Sequence, residues 1–163
     1  MSSCSQRVVR IGVKALPAVI ERTFRLFIEK IPSSSAPLQQ GATVAINVRF
    51  ALPIFVQPSK ASSTGEIAAL ELSRGALAAT ITNTGNTHLL FDSGLDVRGK
   101  NAQGVDIFTS TINDRYVLAG VSKRFSLPIP YESCAQLASL ELTAKSDTFT
   151  LSRTLDVDRQ HCK

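Results

Sequence analysis

The chain carries only two histidines, His88 and His161, and three cysteines, Cys4, Cys134 and Cys162, among its 163 residues. The cysteines form no CxxC pair and stand near no clustered histidine or carboxylate, which argues against a zinc centre. No GxSxG, HExxH or phosphate-cradling glycine loop is present, so nothing supports an enzyme, and no cofactor, metal or nucleotide is implied. Asp156 and Asp158 are acids at strand spacing, but near a C-terminal strand end such residues face solvent or shape a turn. Aromatic residues make up 6%, and the 18 basic residues are scattered among 13 acidic ones. Without a basic cluster or an interleaved aromatic platform, nucleic acid is not the expected partner. The net charge of +5 reads instead as a solvated basic surface or as a match for an acidic protein. No apolar run reaches the length of a membrane span, so membrane insertion is not expected. Nor is there a signal peptide: residues 1–6 are polar, and the alternating stretch 8–13 is broken by Arg10.

Against these absences one segment stands out, residues 42–58 (ATVAINVRFALPIFVQP). Val44, Ile46, Val48, Phe50, Leu52, Ile54 and Val56 form an unbroken every-second-residue apolar row. The opposite row, Ala45, Asn47, Arg49, Ala51 and Pro53, is small or polar. Such a pattern predicts a strand longer than average. Pro53 donates no backbone hydrogen bond, which argues against a central place in a fully paired sheet. A long apolar edge strand is an aggregation hazard that proteins normally avoid. Its retention is best explained if the strand is lent to a partner.

The rest of the chain reads as mostly β. Residues 6–14 have the look of a short strand. Residues 23–31 are tied, because Ile20, Phe24, Phe27 and Ile31 fit a helix face while Phe24, Leu26 and Ile28 fit a strand face. Residues 32–41 form a polar Ser/Pro loop, and residues 59–65 (SKASSTG) have the most linker-like composition in the chain. Beyond them short strands are predicted at 67–72, 76–82, 88–98, 105–109, 115–118, 123–128, 138–144 and 149–157. Turn signals stand at Thr84-Gly85-Asn86, Ser93-Gly94, residues 99–104, Ala119-Gly120 and Ser146-Asp147. This rhythm suits an immunoglobulin-like β-sandwich. The 83–86 turn is expected to serve geometry, since Asn and Gly tolerate left-handed backbone, and His88 to cap or pack beside it. Cys134 and Cys162 bracket the last two strands, a natural placement for a disulfide and hence for an oxidising compartment. The alternative is two unrelated buried thiols.

Three features in order carry a family likeness: the strand RTFRLFIE (22–29) closed by Ile31-Pro32; the long strand ending LPIFVQP (52–58); and a second unit with GALAATITNTGNTH (75–88), YVLAG (116–120) and a closing Leu155–Asp158 before Cys162. Together they resemble the periplasmic pilus-assembly chaperones of the PapD-like superfamily, in its archaic or spore-coat-like branch. The resemblance implies an all-β protein of immunoglobulin-like β-sandwiches. Residues 1–58 would be a partial N-terminal domain with the donor strand at 42–57, residues 59–65 a linker, and residues 66–163 a complete second domain. It further implies binding of pilin subunits by donor-strand complementation, in which Val44, Ile46, Val48, Phe50 and Leu52 enter the open groove of a subunit. Delivery to an outer-membrane usher and residence in the periplasm follow from the same likeness.

The chain departs from that family in three ways. The strands that precede residue 6 in the family are missing, together with a basic residue on the first of them that grips the subunit's terminal carboxylate. No basic residue stands at the second anchoring position on the long strand, where Arg49, on the polar row, is the only cation. Arg49 is thus either a carboxylate anchor or a solvated edge charge. The third departure is the lack of a signal peptide, so the chain reads as mis-started, frameshifted or decayed. The competing functions are a structural or adhesive immunoglobulin-like surface protein, and a truncated product with no function.

Overall fold

The computed structural model describes residues 8–14, 18–29 and 47–162. Two antiparallel strands come first, β1 (Arg22–Glu29) and β2 (Arg49–Val56), which pair only with each other among the described residues. The helix-or-strand tie is therefore settled as strand over residues 23–29, and residues 30 and 31 lie outside the described residues. The register sets Phe24 opposite Ile54, Leu26 opposite Leu52 and Ile28 opposite Phe50. Since side chains alternate across a strand, these six share one face.

Two expectations for this region are corrected. Residues 8–14 lie in no strand, because alternation creates a strand only where a neighbouring edge accepts its hydrogen bonds. Within the described residues the long strand is shorter at its start than expected: Asn47 and Val48 lie outside the ladder, whose last pair is Glu29 with Arg49. Residues 42–46 lie outside the described residues.

From residue 65 onward the chain forms an immunoglobulin-like antiparallel sandwich. One sheet orders β3 (Gly65–Ser73), β4 (Ala76–Asn83) and β9 (Ser122–Pro128) as β3-β4-β9. The facing sheet orders β11 (Thr150–Asp156), β10 (Ser139–Lys145), β6 (Leu95–Lys100) and β7 (Asp106–Ile112) as β11-β10-β6-β7. A short pair, β5 (Leu89–Leu90) with β8 (Tyr116–Val117), lies beside them. Between the sheets Leu70, Leu72, Leu77, Ala79 and Ile81 meet Leu95, Val97, Leu140, Leu142 and Ala144, all buried, with Phe91 enclosed completely. The two-residue period of β4 and β10 places every second residue in this core.

The single strand expected over residues 88–98 is two, β5 and β6. Phe91 donates its amide to Arg115 and Asp92 to Lys145, so the chain crosses from one layer to the other between them. Gly94 makes the turn at φ +93°, a conformation open to glycine and costly for other residues.

A second irregularity lies in β3. Ile67 pairs with Ile81 and Ala69 with Thr80, leaving Ala68 as an extra residue. The bulge changes which parity faces inward, so that Ile67, Leu70 and Leu72 are all buried. It also turns two carbonyls outward. Arg153, on β11 of the opposite sheet, donates to Ile67 O at 2.7 Å and Ala68 O at 2.8 Å. This guanidinium closes one open side of the sandwich. Replacing it by alanine is expected to cost about 1–2 kcal/mol, the range for a partly exposed hydrogen bond from a charged donor. Denaturant unfolding of Arg153→Ala against the parent chain measures it.

The far end of the sandwich is held by a covalent link. A short helix α1 (Tyr131–Cys134) follows β9, and a 3₁₀ turn (Arg159–Cys162) follows β11. Cys134 and Cys162 form a disulfide there, with Cα atoms 5.8 Å apart. Asp158 caps that turn by accepting the Gln160 amide, and Asp156 is exposed at the end of β11. His161 accepts the Gly75 amide at its backbone carbonyl, which fastens the closing turn to the β3–β4 hairpin.

Candidate functional site

The exposed apolar residues are unevenly distributed. Among the described residues beyond Pro58 only Leu90, Val105, Val121 and Tyr131 are large, hydrophobic and exposed. Before it come Val8, Val9, Ile11, Val13, Val19, Ile20, Phe24, Phe27, Val48, Phe50 and Leu52. Phe24 is 50% exposed, Phe50 58% and Leu52 46%, and all three lie on the same face of the β1–β2 hairpin. Ile11, Val13 and Lys14 line a shallow apolar cleft with Phe24 and Ile54 at the edge of that face. A two-stranded hairpin is marginal by itself, and a face of this size bare to water asks for a partner.

Val48, Phe50 and Leu52, singled out by the alternation, thus lie together on the exposed face or directly beside it. Val44 and Ile46 lie outside the described residues. Arg49 belongs to the opposite face. Its Nε lies 2.8 Å from Glu29 Oε1, the residue directly across the ladder, and its guanidinium stands over the Phe27 ring at 4.1 Å. Both partners are largely exposed, so this ion pair contributes little to stability. It does mean that Arg49 meets an outside carboxylate only in competition with Glu29.

The base of the hairpin is built differently. Residues 83–88, between β4 and β5, grip both of its ends. On the side that enters β1, the Glu21 amide donates to Asn86 O at 2.9 Å, and Asn86 Nδ2 donates to Val19 O at 3.0 Å. The Glu21 carboxylate is buried, with 1% of its side chain exposed. It lies 2.8 Å from His88 Nδ1 and accepts the His88 amide at 3.1 Å. On the side that leaves β2, Asn86 Nδ2 donates to Lys60 O at 2.8 Å, and Asn86 Oδ1 accepts the Ser62 amide at 2.7 Å. Phe55, near the end of β2, stacks on the His88 ring with centroids 3.9 Å apart, and Tyr116 meets both rings edge-on. Pro58 is buried.

The segment that is linker-like by composition is therefore held down. Thr64 O accepts the amides of Thr84 and Gly85, and Ser62 O accepts those of Asn86 and Thr87. The reason expected for the Asn-Thr-Gly-Asn turn is corrected here. Neither asparagine has positive φ, and Gly85 is not left-handed. Glycine is needed at 85 because a Cβ would press on Ser62 O and stand 2.8 Å from Thr64 N. Asn83 is needed for its amide, which donates to Thr87 O and Val117 O from a fully buried position while its Oδ1 accepts the Gly85 amide. Gly85→Ala is expected to force the 62–64 segment away from the turn at a cost of about 1–3 kcal/mol, the usual range for overpacking. Thermal unfolding of that variant, read by circular dichroism, gives the value.

Sequence reasoning missed Glu21 and Phe55, and expected His88 to cap or pack beside the turn without naming its partners. Phe55 interrupts the otherwise small or polar row of β2, and that break in pattern was the one available signal. Nothing local marks Glu21, whose partner is 67 residues away. Among the described residues no group of three or more His, Cys, Asp or Glu is placed to hold a metal ion, and no helix is long and apolar enough to cross a membrane. Cys4 lies outside the described residues.

Compared with known protein families, residues 1–62 match the model described as pili and flagellar-assembly chaperone, PapD N-terminal domain. The matched stretch includes the whole β1–β2 hairpin and ends within the segment fastened to the 83–88 turn. Over these residues the chain is similar to PapD-like assembly chaperones. Neither the curated proteins nor the solved structures gave a match.

Proposed function

On the premise that residues 1–62 are those of a PapD-like pilus-assembly chaperone domain, we propose that this protein binds pilin subunits by donor-strand complementation. One observation carries the reading. β2 is hydrogen-bonded on one side only among the described residues, and it presents Phe50 and Leu52 to solvent, with Val48 beside them. An extended partner whose own sheet lacks a strand would pair with the free backbone edge of β2. It would also receive every second side chain in its apolar groove. Val44 and Ile46 extend the same row by their place in sequence. Each side chain so buried is worth about 1.5–3 kcal/mol before the ordering costs of association.

In this reading residues 1–58 belong to the capturing domain, residues 59–65 join it to the second domain at 66–163, and Arg49 takes the subunit's terminal carboxylate only when it leaves Glu29. The captured subunit passes to an outer-membrane usher, and the Cys134–Cys162 disulfide suits residence in the periplasm. The competing reading, a structural or adhesive immunoglobulin-like protein, uses the long strand to fill its own core. The exposure of Phe24, Phe50 and Leu52 weighs against that use.

The test is to export the chain behind a signal peptide together with a panel of pilin subunits, and to isolate complexes by an affinity tag on the chain. A one-to-one complex with a subunit that is degraded when expressed alone supports the proposal. A folded chain that retains no subunit of the panel, each of which an established pilus chaperone does retain, overturns it.

A further inference from the structure

The outer strands of the sandwich are β3, β9, β11 and β7, and the first three are guarded against pairing with another chain. β3 and β11 lie beside each other and are bridged by Arg153. β9 carries Lys123 and Arg124 and ends on Pro128, residue types that keep a further strand away from an edge. β7 differs. Among the described residues it pairs only with β6, and its sequence, DIFTSTI, holds no lysine, arginine or proline. Its single charge is Asp106, at the first position.

That end of β7 is also bulged. Asp106 pairs with Lys100 and Phe108 with Gly99, leaving Ile107 as an extra residue. A bulge turns an edge away from further pairing, so the straight part of the edge is Phe108–Ile112. This part, Phe-Thr-Ser-Thr-Ile, reads nearly the same in either direction. About a two-fold axis at Ser110, an antiparallel second copy sets Phe108 opposite the partner's Ile112 and Thr109 opposite the partner's Thr111. Side-chain direction agrees with such a pairing. Phe108 and Ile112 pack against the core while staying partly open, and Thr109 and Thr111 are exposed on the outer face. Apolar residues would meet on the inner side and β-branched residues on the outer side, the kinds of pair that stabilise antiparallel ladders.

We propose that the β7 edge is a self-association surface, through which two copies of this chain join along Phe108–Ile112 into one continuous sheet. The occupant is a second copy because the edge complements itself and carries no charge over the paired stretch. The contact is closed, since the two-fold axis pairs the edge of one copy with the same edge of the other. It is also small, which places it among the weak interfaces that form and part with concentration. It uses no residue of the β1–β2 hairpin and does not depend on subunit capture.

Sedimentation of the full chain from micromolar to near-millimolar concentration tests it. Cys4→Ser excludes a disulfide between copies, and Phe50→Asp with Leu52→Asp removes the apolar row of the hairpin as a second route to association. This background chain should pass from monomer to dimer, and to nothing larger, as concentration rises. Adding Thr109→Glu with Thr111→Glu sets carboxylates opposite one another and should weaken the dimer about tenfold or more. Adding Thr109→Glu with Thr111→Lys instead should restore it, because each glutamate then faces a lysine of the partner. Within one copy this last pair also faces Arg98 and Asp96 on β6, so the sheet of the monomer is kept. Hydrogen exchange on the background chain needs no change in β7. Amides within residues 108–112 should exchange more slowly as the dimer forms, and those of β9 at an unchanged rate.

A background chain that stays monomeric at every concentration overturns the proposal. So do a dimer that persists unchanged in the double glutamate variant, growth beyond the dimer, and exchange in residues 108–112 that ignores concentration. Loss of the dimer in both charged variants, with their melting transitions intact, overturns the two-fold at Ser110. Where either variant unfolds, the exchange result decides.

Discussion

Phe50→Asp combined with Leu52→Asp is expected to abolish subunit capture while leaving the sandwich as stable as before. Both side chains are about half exposed and take no part in the core between the two sheets. The substitution therefore creates no cavity and buries no charge in the free chain. In the complex the same positions would drive two carboxylates into apolar pockets. Losing the burial of two side chains, at about 1.5–3 kcal/mol each, already weakens binding by roughly a thousandfold, and the desolvation of the new charges adds to it. Arg25→Ser, on the opposite face of the same hairpin, is the control. Retained capture in that variant, with none in the double aspartate variant, places the interaction on the Phe50 row. Equal loss in both would point to the hairpin's integrity, and equal retention would remove the row from the binding site. Calorimetry on the free proteins separates binding from folding, since the unfolding transition should not move.

Replacing Cys134 and Cys162 together by alanine is the largest stability effect expected. The bond closes a loop 28 residues long in sequence separation, and that loop contains the whole β10–β11 hairpin. Removing a disulfide of this kind costs about 2–4 kcal/mol, chiefly through the freedom returned to the unfolded chain. For a unit of about a hundred residues this lowers the melting temperature by roughly 10–25 °C. The loss should begin locally. β11 lies at a sheet edge, held by β10 on one side and by the Arg153 contacts to β3 on the other. Without the disulfide, the 3₁₀ turn is fastened chiefly by the Gly75–His161 hydrogen bond. Hydrogen exchange should therefore show early opening of residues 150–162, with β4 and β6 protected as before. A reductant should reproduce the alanine variant in the parent chain and leave the variant unchanged. A parent chain whose unfolding midpoint does not respond to reductant would mean that the bond carries no stability.

The second unit was nearly all legible. Alternation placed its strands within a few residues, because a two-residue period with turn formers at the ends has few other solutions. Where the reading failed, a tertiary event intervened. Ser93-Gly94 was visible as a turn signal, but that the chain changes sheets there depends on which carbonyls receive Phe91 and Asp92. The Ala68 bulge is invisible locally, since one extra residue is recognised only against a partner strand. In the hairpin, the apolar row of residues 42–58 already predicted an edge strand with an uncovered face, and the structure leaves Phe50 and Leu52 uncovered.

What the chain determined by itself is therefore its periodicity: the β class, the sandwich rhythm, and one strand too apolar and too proline-marked to be central. These depend on neighbours in sequence, which local sterics and the pleat relate directly. The tertiary structure alone decided how the pieces are held. Glu21 finds His88 across 67 residues, and Asn86 gathers carbonyls from both ends of the hairpin. Arg153 closes the sandwich against β3 across 86 residues. Buried hydrogen bonds and ion pairs are directional and satisfied one partner at a time. A pattern of hydrophobicity carries no record of them until the fold brings donor and acceptor together.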